Sequence, residues 1–160
     1  MSVAPHGASA MFDSIIWACE QQLSKVAGRR ILVITMDGPD NASRTPIDKA
    51  IEAAIRTNTA LYVIAIDSTR GGNAYRRARR QHREANELAS RTGGLYLSAN
   101  GSKGADQAFH QIAANLNASY AIIFQPGRPA RKNEFRAVKV VTTRDGLRVM
   151  TSPGYFGPQN

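Results

Sequence analysis

Two short apolar runs constrain this chain more than any other feature. Ile31-Leu-Val-Ile-Thr-Met36 and Leu61-Tyr-Val-Ile-Ala-Ile66 are rich in β-branched residues, carry no charge, and each stops at an aspartate, Asp37 and Asp67. Uncharged runs bounded by turn residues read as strands buried on both faces, the habit of parallel sheets covered by helices. The stretches between and around them have helical period instead. Over Met11 to Val26 the residues Phe12, Ile16, Cys19, Leu23 and Val26 recur at spacings of three and four, widened by Met11 and Ile15, and Gly28 stands where a C-cap belongs.

Thr45-Pro46-Ile47-Asp48 has the chemistry of a helix start: a capping hydroxyl, a proline for the first position, and an acid near the positive end. Ile47, Ile51 and Ile55 follow at intervals of four, beside Ala50 and Ala54. A polar, arginine-rich helix is expected from Ala74 to Arg91, stopped by Gly93-Gly94. Leu95 to Leu97 makes a short third strand, and Ala105 to Leu116 a fourth helix on Phe109, Ile112 and Leu116. This alternation predicts an α/β, three-layer fold with a mostly parallel sheet flanked by helices.

Past residue 118 the texture changes. Tyr120-Ala-Ile-Ile-Phe124 reads as a strand, and Pro126-Gly127-Arg128-Pro129 breaks it. Phe135 to Thr143 alternates, and Asp145-Gly146 is a hairpin signal before Leu147 to Met150. The expected organisation is an α/β part over 1–118 and a C-terminal antiparallel β extension over 119–160, packed together. A chain of 160 residues is long enough for one substantial core. No apolar run approaches the roughly 20 residues that span a bilayer, and the first residues lack a basic stretch ahead of an apolar one, so no signal peptide is read.

Cys19 is the lone cysteine; its place on an apolar helical stripe makes it a small core residue rather than a nucleophile. His6, His82 and His110 show no local signature of a base beside a thiol or hydroxyl. The net charge of +9 is uneven: Arg76, Arg77, Arg79, Arg80 and Arg83 crowd one stretch that contains no acid. Such a stretch favours an acidic partner, and in a nucleic-acid-binding protein it would neutralise phosphates with strong salt dependence. The plainer reading, and the one favoured here, is a solvated helix face. No helix-turn-helix, zinc pattern or stacking aromatic cluster accompanies it.

Several segments, in order, carry a family resemblance. Gly7-Ala8-Ser9-Ala10-Met11-Phe12-Asp13 resembles the G-G-T-A-L-Y-D-A segment of von Willebrand factor type A domains, and Arg29 to Asn41 resembles their L-V-L-L-S-D-G-x-D-N strand and loop. Leu88 to Tyr96 is similar to their L-A-x-x-T-G-G segment. Ser119 to Phe124, Phe135-Arg136, Gly146 to Val149 and Pro153 to Phe156 resemble the closing strands of the bacterial, Acidobacteria-type VWFA-related subfamily. Together they cover nearly the whole chain.

The resemblance implies an adhesion-type protein-interaction module with a metal-ion-dependent site holding Mg2+ or Mn2+ at the carboxyl ends of the strands. Carried over by position, the family's aspartate is Asp37 and its threonine is replaced by Ser9, which keeps the hydroxyl. The D-x-S-x-S motif has no counterpart: Asp13 to Trp17 and Asp67 to Gly71 both fail at the third motif position. The site is therefore expected to be incomplete, and the chain reads as a fragment that begins beyond the family's first strand. On the family's strand order Ile31 to Met36 then lies at an open edge, inviting the missing N-terminal part, a protein ligand, or self-association. The resemblance also implies a secreted or periplasmic parent. Without it, Asp37 is a strand end and Asp40-Asn41 a turn. Asp37, Asp40 and Asp67 could meet as phosphoryl-transfer carboxylates do, but no phosphate-cradling loop or activated nucleophile accompanies them, so no enzymatic activity is expected.

Overall fold

The computed structural model describes residues 8–66 and 74–158. His6, Gly7, Asp67-Ser68 and the Gly71-Gly72-Asn73 connection lie outside the described residues. Within them the elements are α1 (Met11–Trp17), β1 (Arg30–Met36), α2 (Ile47–Arg56), β2 (Thr59–Ile66), α3 (Ala74–Ser90), β3 (Tyr96–Ala99), α4 (Gly101–Asn117), β4 (Phe135–Ala137) and β5 (Gly154–Phe156). The fold is α/β: a parallel sheet in the order β1-β2-β3, flanked by the four helices, with a small antiparallel β4-β5 pair. Among the described residues no helix is long and apolar enough to cross a membrane.

β2 is the centre. Its neighbours run parallel on both sides, with Arg30 to Met36 beside Thr59 to Ala65 and Tyr96 to Ala99 beside Val63 to Ile66. The pleat divides its side chains between two cores. Leu61, Val63 and Ala65 join Phe12, Ile15, Cys19, Ala50, Ile51, Ala54, Ala85, Leu88 and Ala89 on the face covered by α1, α2 and α3. Tyr62 and Ile64 join Ala99, Ala108 and Ile112 under α4 on the other. The Tyr62 hydroxyl donates to Asn115 Oδ1 (2.8 Å) and accepts from Arg29 Nη2 (3.3 Å), so the one polar atom on this buried ring is satisfied.

Several expectations need correction. The first helix is not uniform: α1 passes into a π-helical turn over Ala18–Gln22 and a 3-10 turn over Leu23–Lys25. The helical path ends before Val26, which is extended and exposed, while Cys19 stays in the core. β1 is not buried on both faces, because it is an edge strand and α4 does not reach across it, leaving Val33 and Thr35 exposed. Among the described residues no strand pairs with the outer edge of β1. Thr45 does not cap α2: Pro46 holds the cap position without a side-chain bond, and the Thr45 hydroxyl donates to Asp13 instead. Phe109 is exposed on α4.

The C-terminal strands are also redistributed. Tyr120 to Phe124 forms no strand and is exposed along its length. Only Phe135–Ala137 of the expected 135–143 strand is laddered, and its partner is Gly154–Phe156 rather than Leu147 to Met150. The chain does reverse at Asp145-Gly146, with Gly146 at φ +77°. Arg56 anchors this pair to α2, its guanidinium 4.0 Å from the Phe156 ring centre and its Nη1 donating to Asn133 Oδ1 (3.3 Å). Glu134 accepts from Arg128 through both oxygens (2.7 and 3.1 Å) and from the Arg131 amide (2.7 Å). Arg128 above all, then that amide, lowers the Glu134 carboxyl to about 2.

Gly93-Gly94 is more than a helix stop. Gly93 is left-handed at φ +78°, and a β-carbon on Gly94 would sit 1.8 Å from the Leu61 carbonyl oxygen, backbone against backbone. Gly94→Ala should therefore push β3 off β2 and cost about 3 kcal/mol or more, near the top of single-site effects. Gly127→Ala, where a β-carbon meets nothing within 4 Å, should be close to neutral. Urea midpoints of the two variants against wild type check this.

Candidate functional site

Among the described residues, two segments far apart in the chain meet at the carboxyl end of β1. The loop after β1, residues 37–45, folds over the first turn of α1, and the two exchange bonds in both directions. Ser9 N–H donates to Asn41 Oδ1 (2.6 Å), while Asn41 and Ala42 N–H return to the Ser9 carbonyl (3.1 and 3.2 Å). Asp40, only 4% exposed, caps α1 across 28 residues by accepting the Phe12 amide (3.0 Å). It also accepts the Ser43 amide (3.0 Å) and hydroxyl (2.6 Å). Asp13 answers from α1, accepting the Arg44 amide (2.9 Å), the Thr45 amide (3.2 Å) and the Thr45 hydroxyl.

These bonds tune both carboxylates. Burial by itself would push Asp40 up; the Ser43 hydroxyl and the amides of Phe12, Ser43 and Met11 outweigh it and hold the group below the usual carboxylate value. For Asp13 the Thr45 hydroxyl is the main cause, followed by the Arg44 amide, and its value also falls.

α3 closes the other side. The Asp40 amide donates to Glu84 Oε2 (3.1 Å), Arg80 Nε reaches Glu84 Oε1 (2.6 Å), and Arg80 Nη2 donates to the Asp40 carbonyl (2.9 Å). Gln81, 3% exposed, donates to the carbonyls of Met36 (2.8 Å) and Ile66 (3.3 Å), tying the ends of β1 and β2 to the helix. Of the five arginines singled out above, Arg80 thus has a structural post. Arg76, Arg77, Arg79 and Arg83 are exposed, and the Arg77 guanidinium lies over the loop, 3.5 Å from where a Gly38 β-carbon would be.

Ser9 and Asp37, the positions the resemblance singles out, are both exposed here: Asp37 directly follows β1, and Ser9 is bonded to the loop four residues farther on. A magnesium ion asks for about six oxygens. The neighbouring carboxylates of Asp13 and Asp40 are already taken by amides and hydroxyls, so the described residues do not by themselves fit that ion. Among them no group of three His, Cys, Asp or Glu side chains stands together. A shallow open depression of about 300 Å³ lies elsewhere, between β3 and α4, lined by Ser98, Asn100, Lys103, Gln107 and Gln111. His82 Nδ1 meets the Tyr96 hydroxyl at the start of β3, with the rings edge to face.

A scan of this chain against protein-family models and a search of curated proteins return no match.

Asp40→Asn should cost about 2 kcal/mol at about pH 6, through a lost charge-assisted cap and an under-satisfied buried amide. A lowered carboxyl contributes stability fully above its unfolded value, near 4, and loses it as pH falls through the folded value. The gap in urea stability between wild type and Asp40→Asn should accordingly narrow as the pH is taken from about 4 towards about 2.

Proposed function

We propose that this chain is a non-catalytic protein-interaction module of the adhesion type, related to von Willebrand factor type A domains, that meets its ligand at the carboxyl end of the sheet. The observation carrying the reading is the lock between the start of α1 and the 37–45 loop. It holds the segments of Ser9 and Asp37 against one end of β1 and spends Asp13 and Asp40 as rivets. Carboxyl ends of strands are where open α/β sheets take ligands. A surface rigidified by side-chain-to-backbone bonds suits recognition. On this reading the metal-ion-dependent site is incomplete: Ser9 and Asp37 would bring two oxygen-bearing side chains to Mg2+ or Mn2+, and the remaining donors would come from a partner or further chain.

Manganese titration followed by EPR tests this directly. The folded chain alone should leave submillimolar manganese with its free-ion spectrum; a saturable site lost in Asp37→Ala would assign a self-sufficient metal centre instead. The exposed arginines of α3 keep a second reading in view, binding of nucleic acid. Four phosphate contacts would weaken duplex binding on the order of a hundredfold between 50 and 200 mM salt. Fluorescence anisotropy with random duplex should show no such binding, and seeing it abolished by Arg76→Ala with Arg79→Ala would replace the protein-interaction reading.

A further inference from the structure

The geometry points to a strap: we propose that Tyr120–Phe124 closes onto the free edge of β1 as a fourth parallel strand, giving the order (120–124)-β1-β2-β3. Handedness is the first argument. The chain steps from β1 to β2 to β3 with α2 and α3 on one face of the sheet. α4 lies on the opposite face. A right-handed crossover through a helix on that face must step backwards, and the first vacant place in that direction is beyond β1.

Position is the second argument. Arg29, the residue before β1, donates through Nη1 to the Leu116 carbonyl (3.2 Å) and to the Ser119 hydroxyl at the end of α4. Leu116 packs in the same cluster as Ile31. The segment after Ser119 therefore starts at the foot of β1. Extended, its five residues reach about 16 Å, enough to run beside Arg30 to Ile34.

Complementarity is the third. Tyr120, Ile122, Ile123 and Phe124 are 93%, 69%, 95% and 54% exposed, a β-prone apolar run with no ladder. β1 carries the matching lack, an edge unpaired among the described residues, with Val33 37% exposed. Pairing Tyr120 with Arg30 sets Ile123 beside Val33 on the α4 face, and Ile122 and Phe124 beside Leu32 and Ile34 on the other. Closure gives up the ring contact of Phe124 with Tyr155 (6.0 Å) and, by moving Arg128, its pair with Glu134 and the bonds of Arg136 to the Arg128 and Pro129 carbonyls, all of them on the exposed side of the C-terminal unit. The tether at Ser119 supplies an effective concentration in the millimolar range, while a net charge of +9 opposes bringing in a second copy. Closure would carry Gln125 to Gly127 up to the level of Asp37, beside the carboxyl-end surface, whatever ligand that surface takes.

Cysteine pairs in a Cys19→Ala background test this on the full chain. Val33→Cys with Ile123→Cys, both at exposed positions, should oxidise to an intrachain disulfide in the monomer at least tenfold faster than Val33→Cys with Val141→Cys. Equal rates, or a disulfide-linked dimer as the main product, would overturn the strap, the latter assigning the edge to a second copy. Hydrogen exchange gives an answer without cysteines. The β1 amides that do not bond β2 should exchange at least tenfold faster in Ile123→Asp than in wild type, and unchanged rates would refute closure.

Discussion

Everything in this molecule depends on β2 being dry on both faces and paired along both edges. A strand in that position has no water to bond its backbone, so neighbours must be supplied on each side and helices on each face. β1 and β3 provide the ladders, and the alternation of Leu61, Val63 and Ala65 with Tyr62 and Ile64 recruits α1, α2 and α3 to one side and α4 to the other. Where β1 and β3 leave off, side chains continue the pairing. The Thr92 hydroxyl accepts the Leu61 amide (3.0 Å) and passes its own proton to the Leu88 carbonyl (2.8 Å), while Gln81 takes the carbonyls at the far end. Buried polar residues here, Asp40, Gln81, Glu84 and Thr92, are therefore backbone partners by trade. Their cost of burial is offset because each answers an amide, hydroxyl or carbonyl that would otherwise be stranded.

How much of this could be read from the sequence follows from the range of the forces involved. The apolar period of α2 and the uncharged run of β2 are local patterns, and both elements fall where the residues place them, with Ala50, Ile51 and Ala54 buried as their spacing implies. The parallel α/β arrangement follows from their order. The edge character of β1 is invisible in its composition, which matches that of β2; only the count of neighbours separates them. The C-terminal pairing was misplaced for a related reason. Leu147 to Met150 follows a good turn, yet the ladder starts four residues beyond Met150, at Gly154, where Phe156 packs against Phe135 and under Arg56.

The candidate site was legible in part. Ser9 and Asp37 came from a family pattern, and both are found exposed at the segments that meet at the carboxyl end of β1. The network around them was not legible. Thr45 has every local mark of a helix cap, but Asp13, 32 residues upstream, claims its hydroxyl. Asp40 looks like a turn residue, and is one, since it bonds the amide and hydroxyl of Ser43; the same carboxylate also caps a helix 28 residues away. Arg80 is indistinguishable by sequence from Arg76 and Arg79, and only the packing of α3 on the loop sets it apart. Bonds of such span leave no periodic trace.

The lock between α1 and the 37–45 loop also has a kinetic meaning. The start of α1 is fastened by bonds to residues 28 to 32 positions later, beyond β1. Those acceptors and donors exist in the right places only after β1 has paired with β2 and its loop has turned over. Closing that long loop costs chain entropy before its bonds reward it, so α1 is expected to dock after β1 has paired with β2. By the same logic a local opening that releases α1 would unpin the 37–45 loop while the β1–β2 ladder stays paired.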